Sequence, residues 1–499
     1  MFISWSALSA LFLVYVSAQG LTSHQIDTVQ QRLAEGATHS WELGTRAQAL
    51  LELSAPSFSV LTPSIPLPPP PYLDSSLNDT LADVFAIARN AVAALPPPPS
   101  NGSGQPFILG DSSVGDPASI GTAVLIANWT NLGGEYYAAA ATAQIQYLFG
   151  PAVPKTHDGA ISHLASQVQL WSDSVYMVPP FLAYYGITTG NQSMLQEAYH
   201  QVKLYRSYLR DNSAGGLWQH IVIGTNGTDS GHWSTGNAWA AAGMLRVLGT
   251  LKSSPFSRDF NNQIKDLGNW VAEIHSAMYP HLQANGLFKN YADQNYANNF
   301  DDASSSALLA ATVYRLALLT GNEKYVRQAE RTRAALFAAN STSAIASGDP
   351  VVTSSFDILD FAVLERLEHG NLEHDIFEHG TLFDRVRARV SVDGVECPEG
   401  AQSPEGQAFT LMLQSAWRDW SAAGSPGANV APPGVRVGIN TMVLGAGSTY
   451  YCTAHSKNPA DSLPFLCFAR LHTSAKSSRT RITRLEPPRA MPMSVSDAL

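Results

Sequence analysis

Two stretches of the chain share one pattern, "FLAYYGITTGNQSMLQEAYHQ" at residues 181–201 and "RLALLTGNEKYVRQAERT" at residues 315–332. Each starts with the apolar end of one helix, passes through Thr-Gly-Asn, and continues into a helix with one apolar face. Gly190 and Gly321 suit the left-handed backbone that closes a helix, and the asparagine after each glycine suits the cap of the next helix. Each stretch therefore predicts a helical hairpin, and because a hairpin cannot bury its apolar face alone, neighbouring hairpins must stack.

Helical periodicity recurs along most of the remaining chain. Apolar residues at i, i+3, i+4 and i+7 predict eleven helices and a weaker twelfth candidate, whereas strand alternation is found mainly around 386–393 and 435–444. Twelve helices in six hairpins predict an all-α fold, a closed (α/α)6 toroid with a few short strands; an open helical solenoid is the alternative. The predicted helices are 26–52, 81–95, 117–128, 135–149, 174–186, 194–210, 236–251, 262–279, 303–319, 323–339 and 404–424, with 356–368 as the weaker candidate.

Composition excludes several classes of partner. The 499 residues carry a formal net charge of −10 and only 14% are charged. This balance disfavours nucleic acid or an anionic membrane surface as a partner. After the N-terminus, no run is long and apolar enough to span a bilayer, so we expect a soluble mature protein without membrane contact. We also expect the protein to be a monomer.

The N-terminus resembles a secretory signal peptide. Residues 1–18, "MFISWSALSALFLVYVSA", have an apolar centre and end in a small-x-small cleavage pattern, although they lack the usual Lys or Arg near the start. A buried N-terminal helix is the alternative. Glycosylation sequons agree with secretion to the extracellular space. They lie at Asn78, Asn101, Asn128, Asn191, Asn226 and Asn340.

The rest of the chain is predicted to form one catalytic domain, residues 19–450. Proline-rich connections interrupt it at 54–75 and 95–106. The segment 455–499 is basic, with seven Lys/Arg and three Asp/Glu, and has no clear period, so disorder is expected there. Three cysteines allow at most one disulfide, and of Cys397, Cys452 and Cys467 the last two are the favoured pair.

The stretch "WSDSVYMVPPFL" places one carboxylate, Asp173, between Trp171 and a long apolar run. Aspartate commonly caps a helix, so capping is one interpretation. A catalytic acid is the other, because an apolar wall from Trp171, Val175 and Tyr176 raises a carboxyl pKa, although a helix start favours the anion. The prolines at 179 and 180 predict a kinked helix or one that begins there, since a mid-helix proline costs about 3 kcal/mol.

Tryptophans, histidines and further carboxylates cluster near other predicted helix starts. Flat indole rings stack on sugar faces while polar groups hold hydroxyls, so this combination is typical of a carbohydrate site. One of these residues is His163, ten residues before Asp173. The others are Trp218 and His220 in "GLWQHI", His232, Trp233 and Trp239 in "HWSTGNAW", and Asp301 and Asp302 in "NNFDDASSSALL".

"WSDSVYMVPPFL", "GLWQHI" and "HWSTGNAW" resemble motifs of glycoside hydrolase family 105, the unsaturated rhamnogalacturonyl hydrolases, within the six-hairpin glycosidases. The C-terminal "SPEGQAFTLMLQSAWRDW" is similar to the closing helix of that group's secreted fungal members. The resemblance covers about residues 26–425 and is specific at the Trp-x-Asp segment. It implies an oligosaccharide substrate from pectin with a 4,5-unsaturated uronic acid at its non-reducing end.

The resemblance assigns Asp173 two tasks in one reaction. Its carboxylic acid protonates C4 of the double bond, positive charge develops at C5 and the ring oxygen, and its carboxylate then helps water add at C5. The hemiketal opens and the adjacent sugar leaves. Residues expected to contact substrate are Trp171, His163, Trp218, His220, Trp233, Thr235 and Trp239. The alternative for His163 is a position on the surface. The alternative for Trp171 and Trp239 is packing in the core.

One position departs from the family pattern. Members commonly carry Arg-Gly-Asn-x-Trp, whereas this chain has Thr235 in place of the arginine. An arginine would clamp a uronate carboxylate with two hydrogen bonds, but threonine offers one hydroxyl. Lys289 in "GLFKNY" is the candidate for a compensating charge.

Other readings remain open at the level of sequence. An inverting glycosidase would need two carboxylates roughly 6.5–9.5 Å apart, for which Asp173 could pair with Asp301 or Asp302. A non-catalytic sugar-binding relative would keep the tryptophans and lose the arginine. The favoured interpretation of Asp301 and Asp302 is a cap for the helix that follows. No zinc-spaced His/Cys cluster or phosphate loop occurs, so neither a metal nor a cofactor is expected.

Overall fold

The computed structural model describes most of the chain up to Phe337 and a second stretch from Ser403 to Ala428. Two compact units divide at Ala428 and Asn429. In the second unit, only three short strands are described. The described ranges are 20–63, 65–69, 71, 75–99, 101–130, 135–296, 299–337 and 403–428, together with strands β5 to β9 below.

Helices dominate the first unit, as predicted. They are α1 (Ser23–Gly36), α2 (Ser40–Ser54), α3 (Ser75–Thr80), α4 (Ala82–Ala93), α5 (Gly121–Trp129), α6 (Glu135–Phe149), α7 (Ser174–Thr188), α8 (Gln192–Leu209), α9 (Ser234–Ser253), α10 (Asn261–Met278), α11 (Ala303–Thr320), α12 (Val326–Leu336) and α13 (Pro404–Ala422). Short 3-10 helices cover Pro56–Phe58, Asp116–Ile120, Ser257–Phe260 and Tyr279–His281.

The strands are short and antiparallel. β1 (Leu170–Trp171) pairs with β2 (Ile221–Val222), β3 (Phe288–Lys289) with β4 (Asp301–Asp302), and β5 (Val352–Thr353) with β6 (Phe356–Asp357). In the second unit β7 (Arg436–Gly438), β8 (Cys452–His455) and β9 (Pro464–Phe465) form one sheet. β9 lies within residues 455–499, for which disorder is expected from the sequence.

Six inner helices form a closed ring. α2 packs on the 3-10 turn that leads into α5, that turn packs on α7, and contacts continue through α9, α11 and α13 back to α2. The helices α1, α4, α6, α8, α10 and α12 lie outside, each against an inner helix. This arrangement is the predicted (α/α)6 toroid, and because the ring closes, it is not an open solenoid.

The inner helix α11 has an apolar composition that follows from its position in the ring. It is long and apolar enough to cross a bilayer by composition alone, so the expectation that no such run follows the N-terminus is wrong. In the structure, 83% of its residues are buried in the protein. A helix that is apolar on all sides needs neighbours on all sides, and the inner ring supplies them. Its position therefore accounts for its composition.

The hairpin turns follow the predicted chemistry, with one shift. Gly190 and Gly321 adopt φ values of 67° and 78°, in the left-handed region that favours glycine. Asn191 caps α8 by accepting a hydrogen bond from the backbone N–H of Ser193. The equivalent Asn322 caps only a turn, because α12 begins later, at Val326.

The single helix predicted for 26–52 is wrong, since two helices occupy that range. Glu42 accepts hydrogen bonds from the backbone N–H groups of Thr38 and His39, at 2.6 and 2.8 Å, and so begins α2. Apolar periodicity continues across this break, which hides it in the sequence. The candidate helix 356–368 is also wrong at Phe356 and Asp357, which form β6, and its remainder lies outside the described residues.

Helix α7 runs through Pro179 and Pro180 without starting there. A proline cannot bond the carbonyl four residues earlier, so the carbonyls of Val175 and Tyr176 lose their usual helical partners. The guanidinium of Arg246 donates to the Tyr176 carbonyl at 3.1 Å. Gly243 lies so close that a Cβ there would be 2.1 Å from the Val175 oxygen. Packing on α9 thus stabilises the interrupted helix.

The signal peptide 1–18, the strand prediction 386–393, Cys397 and Cys467 lie outside the described residues.

Candidate active site

The first residues of the inner helices meet at one end of the ring, which we call the N-terminal end. The indole N–H of Trp41 in α2 donates to Glu405 at the start of α13. The Thr235 hydroxyl at the start of α9 donates to Asp302 before α11 at 2.8 Å. Loops that precede α7 and α9 carry the remaining site residues. Residues far apart in sequence therefore converge here.

Asp173 immediately precedes α7 but does not cap it. Its side chain is 4% exposed, and Oδ2 accepts a hydrogen bond from the Ser172 hydroxyl at 3.1 Å. Burial raises the pKa of this carboxyl, while the nearby charge of His220 partly opposes the shift. Capping thus does not explain Asp173, and a raised pKa suits a general acid.

His220 is held between two carboxylates. Its Nε2 lies 3.8 Å from Asp173 Oδ2, and its Nδ1 lies 3.0 Å from Asp229 Oδ2. Tyr291 donates its hydroxyl to the same Asp229 oxygen at 2.5 Å. Burial acts to raise the pKa of Asp229, but hydrogen bonds from His220 and Tyr291 and the His220 charge lower it to about 2. Asp229 is therefore ionised and fixes the imidazole with Nε2 toward Asp173.

Trp171 forms a stack at the side of this pair. His163 lies parallel to the indole, with ring centroids 4.3 Å apart, and His220 meets it edge-on at 5.7 Å. The indole N–H donates to Gln169 at 2.8 Å. His163 is buried, so its alternative as a surface histidine is wrong.

Asp116, which sequence analysis did not single out, is a second carboxyl of this site. It lies beneath His163, with Oδ2 3.8 Å from the His163 Nε2. Burial raises its pKa well above the usual range, and the charges of Asp111 and Asp173 raise it further. The signal was its place in "GDPASIG", at the start of the 3-10 turn that leads into an inner helix. Asp229 was missed because it lies in a loop without a motif.

Two tryptophans expected to contact sugar lie in the core instead. Trp239 is 1% exposed and packs against Tyr176 and Phe409, with centroid distances of 4.4 and 4.7 Å. Trp218 is equally buried, and its backbone is bonded to the Asn237 amide. Both belong to the hydrophobic core. Sugar stacking is therefore not their contribution.

Trp233 lies beside the site, with its ring 4.5 Å from that of His220. Its indole N–H donates to Asn290 at 2.9 Å. The orientation of His220 is thus bounded by two indoles, those of Trp171 and Trp233. Trp233 is itself buried in the hydrophobic core, and its contact with substrate stays a prediction.

The polar residues near α9 and α11 bond one another. The Thr235 hydroxyl is committed to Asp302, which caps α11 by accepting from the N–H groups of Ser304 and Ser305. Lys289 pairs with Asp301 at 2.7 Å. The capping interpretation of Asp302 is confirmed, whereas Thr235 and Lys289 have partners within the protein. Neither aspartate is thus a free partner for Asp173 in a two-carboxylate mechanism.

Within the part of the chain that the structure describes, no group of three or more His, Cys, Asp and Glu side chains is arranged to hold a metal ion. The chemistry available at Asp173 is proton transfer. A protonated carboxyl beside an imidazole and a second carboxyl can give a proton to a bound molecule and recover it from water.

Comparison with known proteins gives a family match that covers the site. Residues 112–352 match the family model described as Glycosyl Hydrolase Family 88, a range that includes Asp116, His163, Asp173, His220 and Asp229. No curated protein matches the chain. The fold and this match define the protein as a glycoside hydrolase.

Two solved structures are similar in fold. A possible member of glycoside hydrolase family 105 from Klebsiella pneumoniae superposes with a TM-score of 0.54 at 16% identity, covering 84% of this chain and 95% of that chain. A possible member of the same family from Salmonella enterica gives 0.51 at 16% identity, with 81% and 96% covered. The protein is thus a glycoside hydrolase with the (α/α)6 fold of these structures, and its residues 112–352 match the family 88 model.

Proposed function

We propose that the protein is a secreted hydrolase of the fungal extracellular type that hydrates the 4,5-unsaturated uronic acid at the non-reducing end of pectin-derived oligosaccharides. The observation that carries the proposal is the buried Asp173 carboxyl, which faces the Nε2 of His220 while Asp229 fixes the other nitrogen. An acid with a raised pKa can keep its proton until an alkene is bound.

In the first step, the Asp173 carboxyl gives its proton to C4. The double-bond electrons form the new C4–H bond, and C5 becomes cationic with help from the ring oxygen. Ionised Asp173 favours this positive charge. His220 faces the Asp173 carboxylate that the transfer leaves behind.

In the second step, water adds to C5 and gives its proton to the Asp173 carboxylate. The product is a hemiketal, which opens to a ketone at C5. C1 then releases the neighbouring sugar, and Asp173 is again protonated. One carboxyl thus acts first as acid and then as base, so neither Asp301 nor Asp302 is needed.

The test is incubation of the purified protein with lyase-digested pectin and, for comparison, lyase-digested glycosaminoglycans. Turnover removes the ultraviolet absorbance of the conjugated double bond. Asp173→Asn should lower kcat by about 10²- to 10⁴-fold, the usual contribution of a general acid. Asp301→Asn, which alters a carboxylate paired with Lys289, is the matched control and should retain most of the rate.

Release of reducing sugar from saturated substrates with unchanged absorbance would instead identify a conventional glycosidase. Undiminished turnover by Asp173→Asn would remove Asp173 from the mechanism. N-terminal sequencing of protein exported by a eukaryotic host tests secretion, for which a mature chain beginning just after Ala18 is expected.

A further inference from the structure

Two histidines contact Trp171, and their hydrogen-bond partners differ in charge. The Nδ1 of His220 bonds the ionised carboxylate of Asp229, which favours a positively charged imidazole. The Nδ1 of His163 instead lies 2.7 Å from the hydroxyl oxygen of Ser174, an uncharged group. For a neutral imidazole, the partner of one nitrogen decides which nitrogen carries the hydrogen. The hydroxyl at Ser174 therefore bears on the tautomer of His163.

The hydrogen bond between Ser174 and His163 has a direction because Tyr205 lies behind Ser174. Tyr205 donates its hydroxyl proton to the backbone carbonyl of Ile161 at 2.5 Å, and a carbonyl only accepts. Burial raises the pKa of Tyr205, and a hydrogen bond from Ser174 acts against this rise. Ser174 thus gives its proton to Tyr205 and accepts from His163. The Nδ1 of His163 must then carry a hydrogen.

Ser113 leads to the same tautomer from the other ring nitrogen. Its hydroxyl oxygen lies 3.4 Å from the Nε2 of His163. This oxygen already accepts hydrogen bonds from the backbone N–H groups of Gly115 and Asp116, at 3.1 and 3.0 Å. A hydroxyl oxygen has two lone pairs, so neither remains for an Nε2–H group. In the neutral ring, Nε2 is therefore the nitrogen without hydrogen.

Asp116 suits this arrangement. Its Oδ2 lies 3.8 Å from the Nε2 of His163. Burial raises the pKa of Asp116 well above its usual range, which favours the protonated carboxyl. A protonated carboxyl donates, and a nitrogen lone pair accepts. Asp116 and His163 thus hold one exchangeable proton between them and together carry no net charge.

We propose that Ser174, Tyr205 and Ser113 are positioning residues that hold neutral His163 with its hydrogen on Nδ1, so that Nε2 presents a lone pair to the Asp116 carboxyl. The stack on Trp171 fixes the plane of the same ring.

The consequence for catalysis rests on the proposed function, whereas the tautomer itself does not. In the proposed reaction, Asp173 keeps its proton until the alkene is bound. A positive charge on His163, two residues from the strand that carries Trp171 into the site, would add to that of His220 and favour early loss of this proton. The neutral tautomer avoids the added charge.

The tautomer of the wild-type protein is the first test. Histidine labelled with a nitrogen isotope is incorporated, and His163→Gln identifies the signals of this residue. Protonated and hydrogen-free ring nitrogens have distinct chemical shifts, so the spectrum assigns each nitrogen directly. We expect a hydrogen on Nδ1 and none on Nε2. The opposite tautomer, or a ring that keeps two protons wherever the protein is folded, would overturn the inference.

A matched pair of variants tests the role of the hydroxyl chain. Tyr205→Phe removes the oxygen that takes the Ser174 proton, and Ser174 can then donate to the Nδ1 of His163. The tautomer with hydrogen on Nε2 should become populated, and kcat/KM should fall about two- to tenfold, as for loss of one hydrogen bond. Tyr184→Phe is the control, because Tyr184 is also buried and its hydroxyl has no partner among the described residues. It should retain the wild-type tautomer and rate.

The outcomes separate this inference from the proposed function. An unchanged tautomer in Tyr205→Phe, or a changed tautomer with an unchanged rate, would overturn the positioning role and leave the hydration reaction standing. Hydration of no unsaturated substrate would overturn the proposed function, while the spectrum would still decide the tautomer. The wild-type spectrum decides the tautomer even if the variants do not fold.

Discussion

The two ends of the inner ring treat buried charge in opposite ways. At the N-terminal end, burial raises the pKa of Asp116, Asp173 and Asp302. At the other end, the buried Arg315 bonds Glu52 at 2.9 Å and Asp419 at 2.6 Å. Among the described residues, Asp116, Asp173 and Asp302 at the N-terminal end form no ion pair with a lysine or arginine. At the other end, Glu52 and Asp419 both pair with the guanidinium of Arg315. Perturbed carboxyls gather where chemistry occurs, while paired charges serve the structure.

The largest effect is expected at the paired end. Arg315→Met would leave Glu52 and Asp419 without their cation, and breaking a buried pair costs about 3–5 kcal/mol of unfolding free energy. Urea unfolding measures this change. Arg418→Met is the control, because Arg418 is more exposed and also contacts Asp419, so about 1 kcal/mol or less is expected. Similar losses of unfolding free energy in both variants would mean that the buried ion pairs of Arg315 stabilise the fold no more than the exposed pair of Arg418.

At the other end, Asp229→Asn should alter catalysis. Asp229 bonds the Nδ1 of His220, and a hydrogen bond to a charged group contributes about 1.5–3 kcal/mol, so kcat should fall about ten- to a hundredfold. Less charge on His220 also raises the pKa of Asp173, since that charge opposes the effect of burial. Because Asp173 must be protonated, the alkaline limb of the pH–rate profile should move to higher pH.

A matched variant makes the Asp229 experiment specific. Asp293 holds the Nδ1 of His232 at 2.8 Å in the same manner, and His232 has its second carboxylate in Asp211 rather than Asp173. Asp293→Asn should therefore leave the alkaline limb in place. A limb that moves equally in both variants would contradict the link from Asp229 through His220 to Asp173.

A smaller effect concerns stability at the catalytic end. The pKa of Asp116 is higher in the folded than in the unfolded state, so the folded state binds more protons, and stability falls as pH rises through the folded pKa. Asp116→Asn should gain about 0.5–2 kcal/mol near neutral pH. The gain should vanish below about pH 3.9, the ordinary value for aspartate. Thermal unfolding across pH measures it.

Asp158 provides the opposite case. Hydrogen bonds from Thr156 and Tyr208 lower the pKa of this exposed carboxyl, so it stabilises the fold above its ordinary pKa. Asp158→Asn should thus slightly lower stability at neutral pH and have no effect in acid. The same sign of change for both variants would show that the two carboxyls are not in contrasting environments.

Much of the fold was accessible from sequence because each hairpin repeats a local pattern. The Thr-Gly-Asn turns, the apolar periodicity and the position of Asp173 before α7 depend on neighbouring residues, and the structure contains all three. The break before α2 was not predicted, because Glu42 caps that helix while the apolar period continues. A helix over 174–186 was predicted, but its support across Pro179 was not, because Arg246 and Gly243 come from another helix.

The candidate site was predictable only in part. His163, Trp171, Asp173 and His220 do come together, since each lies in a motif near a helix start. Trp239 was misassigned, because a tryptophan in a motif has the same sequence whether it faces a ligand or Phe409.

By itself the sequence determined six stacked hairpins and one carboxyl in an apolar setting, because periodicity and turn chemistry act over a few residues. Only the tertiary structure decided which carboxyls are paired and which are not. Asp116 meets Asp173, and Arg315 meets Glu52, through ring closure across long stretches of chain. The energy of a buried charge depends on what lies within a few ångströms of it, and that neighbourhood exists only in the folded ring.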